Sequence, residues 1–529
     1  MKTILLFISV FLSASMFGQN VNIPDANFKA YLVGYSSINS NGDTEIQVSE
    51  ATAFAGSINC SNLGIFDLTG IEAFTALTNL NCEQNQLASL DVSANTALTT
   101  LGCKFNQLTS LNVNTALTDL DCEQNILTSL DISANTALTQ LYCHSNQLTN
   151  LDVSANTALT SLGCASNQLD SLDVSANTAL TELYCHSNQL TSLDVSANTA
   201  LAMLGCNGNQ LTSLDVSTNI ALTVLGCLGN LLTSLDISAN TALTQLYCQS
   251  NLLTSFNVSV NTNLVQVWCG DNQLTSLDVS ANTALALLEC SDNQLTSLDV
   301  TANTALIVLY CQSNQLTSLD VSANTALTTL GCNGNQLDSL DVSANTALTN
   351  LNCGNNQIVS LDVSSNTALA ILWCYGNQLT SLDVSSNTAL TLLGCYVNQL
   401  ISLDVSSNTA LENLFCEDNQ LECLNVKNGN NTALEVVYAT DNPNLTCIEV
   451  DDVNYSTTNW TDIDSQMSFS TNCNNDCSSS TVEINELSTS KSLIQILDLM
   501  GRETSFKPNT PLIYVYDDGS TEKVFSVEN

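Results

Sequence analysis

Positive charge is what this chain has least of: 8 Lys plus Arg stand against 50 Asp plus Glu, for a formal net charge of -42. A nucleic acid or an anionic lipid surface would be repelled by that field, and no basic patch offsets it. Nucleic-acid binding is therefore excluded. Histidine is almost as scarce, with only His144 and His186. A Gly-rich phosphate loop and a strained nucleophile turn are both missing, so catalysis finds no support. Beyond the first residues no stretch approaches the ~20 apolar residues that a membrane-spanning helix needs.

What the chain has in abundance is repetition. Its 529 residues would suggest three or four ordinary domains, but 15 of its 22 cysteines recur every 21 residues from Cys122 to Cys416. Cys60, Cys82 and Cys103 extend the series toward the N-terminus at slightly irregular intervals. One period reads LTELYCHSNQ (180–189) followed by LTSLDVSANTA (190–200). Each half has Leu, two variable residues, Leu, one variable residue, an apolar residue, two variable residues and Asn. This pattern resembles the leucine-rich repeat, more narrowly a 21-residue bacterial class built from nested motifs of ten and eleven residues. The resemblance spans residues 77 to about 434.

Leu-x-Cys and Leu-Asp-Val each alternate inward and outward with period two, as short strands do. Two strands per coil predict a mostly β solenoid of about 17 coils with two parallel sheets, a rod roughly 80 Å long. Leu, Val and Cys form its core, and Asn residues such as Asn106 and Asn146 are expected to bond turn backbone and stack into a ladder. In-register cysteines on parallel strands sit ~4.8 Å apart with parallel Cβ vectors, whereas a disulfide needs Cβ atoms about 3.8 Å apart and converging. The eighteen ladder thiols are thus expected to be free, as small buried hydrophobes. Cys423, Cys447, Cys473 and Cys477 form a separate group whose three pairings the sequence leaves open. The same spacing puts the two histidines two coils and ~9.6 Å apart, too far to share a metal or a proton relay.

The ends differ from the middle. Residues 1–19 have Lys2, an apolar run from Ile4 to Leu12 and then small and polar residues, the layout of a cleaved signal peptide. Residues 20–76 read as an N-terminal cap in which DANFKAYLV forms a short amphipathic helix. Within it, Asn39 to Glu50 places oxygen-bearing side chains at loop positions 1, 3, 5, 7, 9 and 12, resembling an EF-hand calcium loop. Asn39, Asn41, Asp43, Glu45 and Glu50 are the candidate ligands. Thr44 stands where Gly is expected and Asn39 where Asp is, and the alternative is a solvated turn between two helices. Calcium here is the single cofactor suggested; no other is expected.

Residues 435–480 read as a C-terminal cap followed by a polar linker. After them, SLIQILDL, PLIYVY and KVFSV alternate with turn signals and predict a small antiparallel β unit over 481–529. ILDLMGRE, KPNTP and YDDGSTEKVFSVE in this unit resemble the type A C-terminal sorting domain of the type IX secretion pathway. That resemblance implies transfer across an outer membrane by the type IX machinery, removal of the unit, and a protein that is secreted or attached to the outer cell surface.

Against the nearly fixed framework, variation concentrates at the residue before the ladder Cys and the two after it. The residue before Cys is aromatic in seven coils: Tyr142, Tyr184, Tyr247, Trp268, Tyr310, Trp373 and Phe415. Exposed rings on a rigid platform supply contact area at low entropic cost, so these seven are the candidate ligand-binding residues, for an extracellular protein or glycan. The other half of each coil presents a file of Asp, among them Asp131, Asp152 and Asp173, interrupted at Asn112, Asn257 and Asn425, which reads as a solubilising face with Ser neighbours bonding the Asp. Two other roles are open: a structural spacer in the envelope, and an ice-binding solenoid, although the latter favours uncharged Thr arrays.

Overall fold

The computed structural model describes residues 18–474, Cys477, Arg502, Thr504 and the segments 493–497, 512–516 and 521–524. The expected signal peptide, and most of the linker and of the motifs quoted for the C-terminal unit, lie outside the described residues.

A coil such as 180–200 turns eight side chains inward: Leu180, Leu183, Cys185, Asn188, Leu190, Leu193, Val195 and Asn198, all buried. A single coil has no interior of its own, so each buries its faces on the coils before and after it. The Leu-x-Cys halves form one continuous parallel sheet of 19 strands, each three residues long, from Ser57–Asn59 to Val436–Tyr438. This exceeds the expected 17 coils. Ser57–Asn59 of the N-terminal cap and Val436–Tyr438, which is followed by Ala439 where a ladder Cys would stand, both join the sheet.

Two Asn ladders fasten the turns. Asn167 donates through Nδ2 to the carbonyl of Cys143 in the preceding coil (3.0 Å) and of Cys164 in its own (3.1 Å), while its Oδ1 accepts from Leu148 N (2.9 Å). Asn106 and Asn146 do the same, as expected. On the other side, Asn177 donates to the carbonyls of Val153 and Asn156, both at 2.9 Å. Two residues after each ladder Cys the backbone turns left-handed, as at Ser145 (φ 53°), Asp271 (φ 49°) and Val397 (φ 52°). Ser, Asp, Asn and Gly tolerate this conformation; β-branched Val397 does not do so comfortably.

The second sheet is the main correction. Leu-Asp-Val segments pair only near the two ends, as Ser89–Asp91 with Ser110–Asn112, and as a four-stranded set from Ser402–Asp404 to Ser468–Ser470. Like charge accounts for the gap where Asp would stand opposite Asp, although Ser110–Asn112 also stays unpaired with the following segment of Asp131. Wherever the segments pair, a carboxylate faces an amide or hydroxyl: Asp91 opposite Asn112, Asp404 opposite Asn425, Glu449 opposite Asn425 and Ser470. Nowhere among the described residues does Asp pair with Asp in this way, and like charges directly opposite destabilise a ladder. At Asn257, where the file is also interrupted, the larger Phe256 replaces the usual Leu and is partly buried against the core, and the segments stay unpaired. Ser donors do bond the Asp file, as Ser133 Oγ to Asp131 at 2.7 Å, and they hold these carboxyls below the ordinary range.

Both ends are capped. Helix α1 (Ala26–Gly34), N-capped by Asp25, turns Phe28 and Leu32 inward, and helix α2 (Val48–Ala53) follows after the candidate calcium loop. At the far end, helix α3 (Val453–Asn459) leads to Trp460, whose indole donates to Leu434 O at 3.0 Å over the last coil. Cys423 pairs with Cys477 and Cys447 with Cys473. The segments Leu493–Leu497, Leu512–Tyr516 and Thr521–Val524 form a three-stranded antiparallel sheet, in keeping with the small β unit expected there. Among the described residues no helix is long and apolar enough to cross a membrane.

All eighteen ladder cysteines are free and buried, and burial pushes their thiols upward, to about 12 for Cys60 and Cys164. A thiol reagent attacks the thiolate, so native protein is expected to label at almost none of these positions near neutral pH. Unfolding without reductant should expose eighteen reactive thiols. Substantially fewer would mean pairing within the ladder and would refute the in-register geometry.

Candidate functional site

The residue before each ladder Cys is the third residue of its strand and points outward, so successive coils bring these residues into one row. From Tyr142 the row runs through Gly163, Tyr184, Gly205, Gly226, Tyr247, Trp268, Glu289, Tyr310, Gly331, Asn352, Trp373, Gly394 and Phe415 to Tyr438. All seven predicted rings lie on this face, but as half-buried rather than fully exposed groups. Glycine is the reason. A Cβ placed on Gly394 would fall on the Trp373 ring, one on Gly331 would come within 2.9 Å of Tyr310 Cδ1, and one on Gly163 would meet both Tyr142 and His144. Tyr142, Tyr184, Tyr310 and Trp373 each lie against the glycine of the next coil, Gly163, Gly205, Gly331 and Gly394.

The rings gather into groups. Tyr247 and Trp268 stack at 6.4 Å. Trp373 and Phe415 stack at 5.5 Å across the coil of Gly394, and Tyr438 meets Phe415 edge-on at 5.4 Å. Tyr375 and Tyr396, each immediately after a ladder Cys, stack nearly parallel at 4.7 Å and both meet Trp373 edge-on. These last three tyrosines escape a sequence search confined to one position per period; a scan of the position after Cys finds Tyr375 and Tyr396. Tyr438 lies beyond the regular period, ahead of Ala439, so no ladder Cys marks it.

Two depressions on the face differ in charge. Near the N-terminus, Glu83, Asp119 and Asp121 surround Gly102 and Tyr142, and Lys104 pairs with Asp121 at 3.0 Å. Farther along, Tyr310 and Trp373 wall a hollow floored by Gly331, Asn333, Asn350 and Asn352, with no charged residue in its lining. Between these regions lies Glu289, which is buried between Trp268 and Tyr310 and accepts from Gly270 N at 3.0 Å and from Ser291.

The histidines come closer than coil spacing implies. His144 accepts from Ala165 N at Nδ1 (3.0 Å) and leans over the intervening coil until its ring centroid is 6.3 Å from that of His186. The separation of ~9.6 Å expected from backbone stacking is therefore too large. The small side chains of Gly163 and Ala165 between them leave room for the lean. The rings stack face to face at 19°, so their nitrogens do not converge on a point. Burial lowers both pKa values and favours the neutral rings, with His186 adding to the effect at His144.

The candidate calcium loop is closed by its own hydrogen bonds. Asn39 is buried, with Nδ2 donating to Val33 O and Asp43 O and Oδ1 accepting from Gly42 N. Asn41 and Gln47 both donate to Asp43 Oδ2. Glu45 pairs with Lys29 at 2.7 Å. Glu50 accepts from Ser40 N, Ser40 Oγ and Asn41 N at one oxygen and from Gln47 N at the other, which caps α2. Burial alone would push its carboxyl up, but these bonds together outweigh that effect and hold it below the ordinary range. As arranged, these carboxylates accept from protein donors. Calorimetry is expected to show no calcium heat at millimolar concentration, the range of weak extracellular sites. Glu50→Ala should cost about 0.5–2 kcal/mol of stability through the lost cap, with or without calcium. A calcium titration that raises the melting temperature, and loses that effect in Asp43→Ala, would show that the loop rearranges around the ion.

No family model matches the chain, and no curated protein matches it in sequence. Among solved structures, the functional domain of InlJ from Listeria monocytogenes, described as including a cysteine ladder, is 29% identical, with 97% of this chain and 99% of that one covered at a TM-score of 0.52. YopM from Yersinia enterocolitica is 24% identical over 74% of this chain and 84% of its own, with a TM-score of 0.62. The plant peptide hormone receptor RGFR1, solved in complex with RGF2, shares 18% identity over 78% of this chain and 77% of its own, with a TM-score of 0.64. The chain thus has the leucine-rich-repeat solenoid fold, in a form whose core carries a cysteine ladder.

Proposed function

We propose that this protein is an exported, non-enzymatic scaffold that works outside the cell, binding a protein or glycan through the aromatic row of its continuous sheet. One observation carries the reading: on a framework that repeats almost without change, the rings of the row and of the adjacent Tyr375 and Tyr396 collect on a single rigid face. Rigid aromatic surface is the usual source of binding energy at interfaces, because little side-chain entropy is lost on contact. The RGFR1 complex is a precedent for ligand binding by this fold and does not indicate which ligand is bound here.

The address rests on residues 1–19 and 481–529, whose sequences resemble a signal peptide and a type A sorting domain; passage through the type IX machinery to the medium or the outer surface follows from both. A variant lacking 1–19 should stay in the cytoplasm, and one lacking 481–529 should fold and stop in the periplasm. Protease accessibility on intact cells, with mass spectrometry of the mature C-terminus, reads both results. Surface display of the second truncation would reduce the terminal unit to a cap.

For the binding face, Trp268→Ala combined with Trp373→Ala is expected to weaken adhesion of protein-coated beads to target surfaces; the lost ring contacts should lower the melting temperature as well, so circular dichroism at the assay temperature checks that the variant is folded. Undiminished adhesion would favour the structural spacer.

A further inference from the structure

The hollow between Tyr310 and Trp373 differs from the rest of the molecule in what it lacks. In a protein of formal charge -42, no carboxylate and no cation lines it. Its floor offers amides: within the described residues the side chains of Asn333 and Asn350 make no hydrogen bond, and Asn352 uses only its oxygen, accepting from Gly354 N at 3.2 Å. Each free amide presents donors and an acceptor side by side without net charge. The walls are three strands apart in the register Tyr310, Gly331, Asn352, Trp373, about 14 Å at the usual strand spacing. Gly331 keeps the floor low, and a Cβ there would press on Tyr310.

A basic peptide would find its partners elsewhere, at the carboxylates around Gly102, and an acidic ligand would meet the repulsion of the whole chain without a local cation to offset it. A neutral ligand dense in hydroxyl groups meets neither objection. Its hydroxyls both donate and accept, matching the amides, and the C–H faces of its rings pack on aromatic faces, which carry the negative side of the ring quadrupole.

We infer that this hollow is a binding site for an uncharged oligosaccharide, held by the amides of Asn333, Asn350 and Asn352 between the rings of Tyr310 and Trp373. The assignment rests on the reading of the sheet as a binding face and names the ligand class at one place on it.

The full chain is titrated with neutral gluco-, manno-, galacto- and xylo-oligosaccharides long enough to span the hollow, beside a polygalacturonate oligomer and a lysine-rich peptide, by calorimetry and tryptophan fluorescence. At least one neutral sugar is expected to bind, with Trp373→Ala and Asn350→Asp each weakening it about tenfold or more, or about 1.4 kcal/mol. Ser192→Ala, on the opposite face, should leave that affinity unchanged. Asn350→Asp keeps size and shape, so loss of binding with an unchanged melting temperature reports the site and not the fold. Binding of no neutral sugar, or binding indifferent to Trp373 and Asn350, overturns the inference. Capture of the peptide or the acidic oligomer in a Trp373-dependent way also overturns it but leaves the binding face standing. Failure of every probe, together with undiminished bead adhesion by the double Trp variant, removes both.

Discussion

Everything on this molecule's surface depends on a side-chain amide inside it. An Asn such as Asn167 ties its own coil to the one before through Cys143 O and Leu148 N, and the same bonds recur coil after coil. Each is worth only about 0.5–1.5 kcal/mol net, but a buried group left unpaired costs more than that, so a coil out of step is penalised at several points at once. Register in a sheet is otherwise set by hydrophobic pattern alone, and here the pattern repeats so evenly that it would fit at several offsets. The amides remove that ambiguity, and rows of outward residues acquire fixed positions as a result.

The two faces of the solenoid resolve the same repetition in opposite ways. On the main sheet, identical backbone pairing carries varied side chains, and charges are dispersed among Gly, Asn and aromatic neighbours. On the other face, nearly identical side chains put carboxylate beside carboxylate, and the backbone ladder is given up wherever that happens. Asp91 with Asn112 and Asp404 with Asn425 are places where the ladder forms with no like charge opposite.

Much of this is legible in the sequence because a repeat compares itself. The 21-residue period locates the coils, the strand halves, the free cysteine ladder and the row of seven rings. What escapes has a common physical origin: the period reports which residues are equivalent, not how far a side chain reaches. His144 closes on His186 by leaning over small neighbours, and the second sheet is lost to a repulsion that alternation of polar and apolar residues does not register. Variability misleads in one respect. The second residue after each Cys varies as a contact residue would, yet its Ser, Asp, Asn and Gly content answers to a left-handed backbone, as Ser145 and Asp271 show. Glycines in the aromatic row are legible as residues but not as the beds on which rings lie.

The placement of the disulfides has a consequence for how the protein is made. Eighteen thiols that must never pair precede four that must, and Cys473 and Cys477 come last in the chain. On the export route proposed above, a chain threaded N-terminus first would deliver the ladder to an oxidising compartment before either bridge is complete, and early oxidation would join neighbours that the fold keeps unpaired. Coil-by-coil stacking avoids this, because each added coil withdraws its thiol from solvent and no distant contact is awaited. Short-range growth of the solenoid thus acts as a proofreading step in time: the cysteines still reachable when synthesis ends are the four whose partners lie at the closing end.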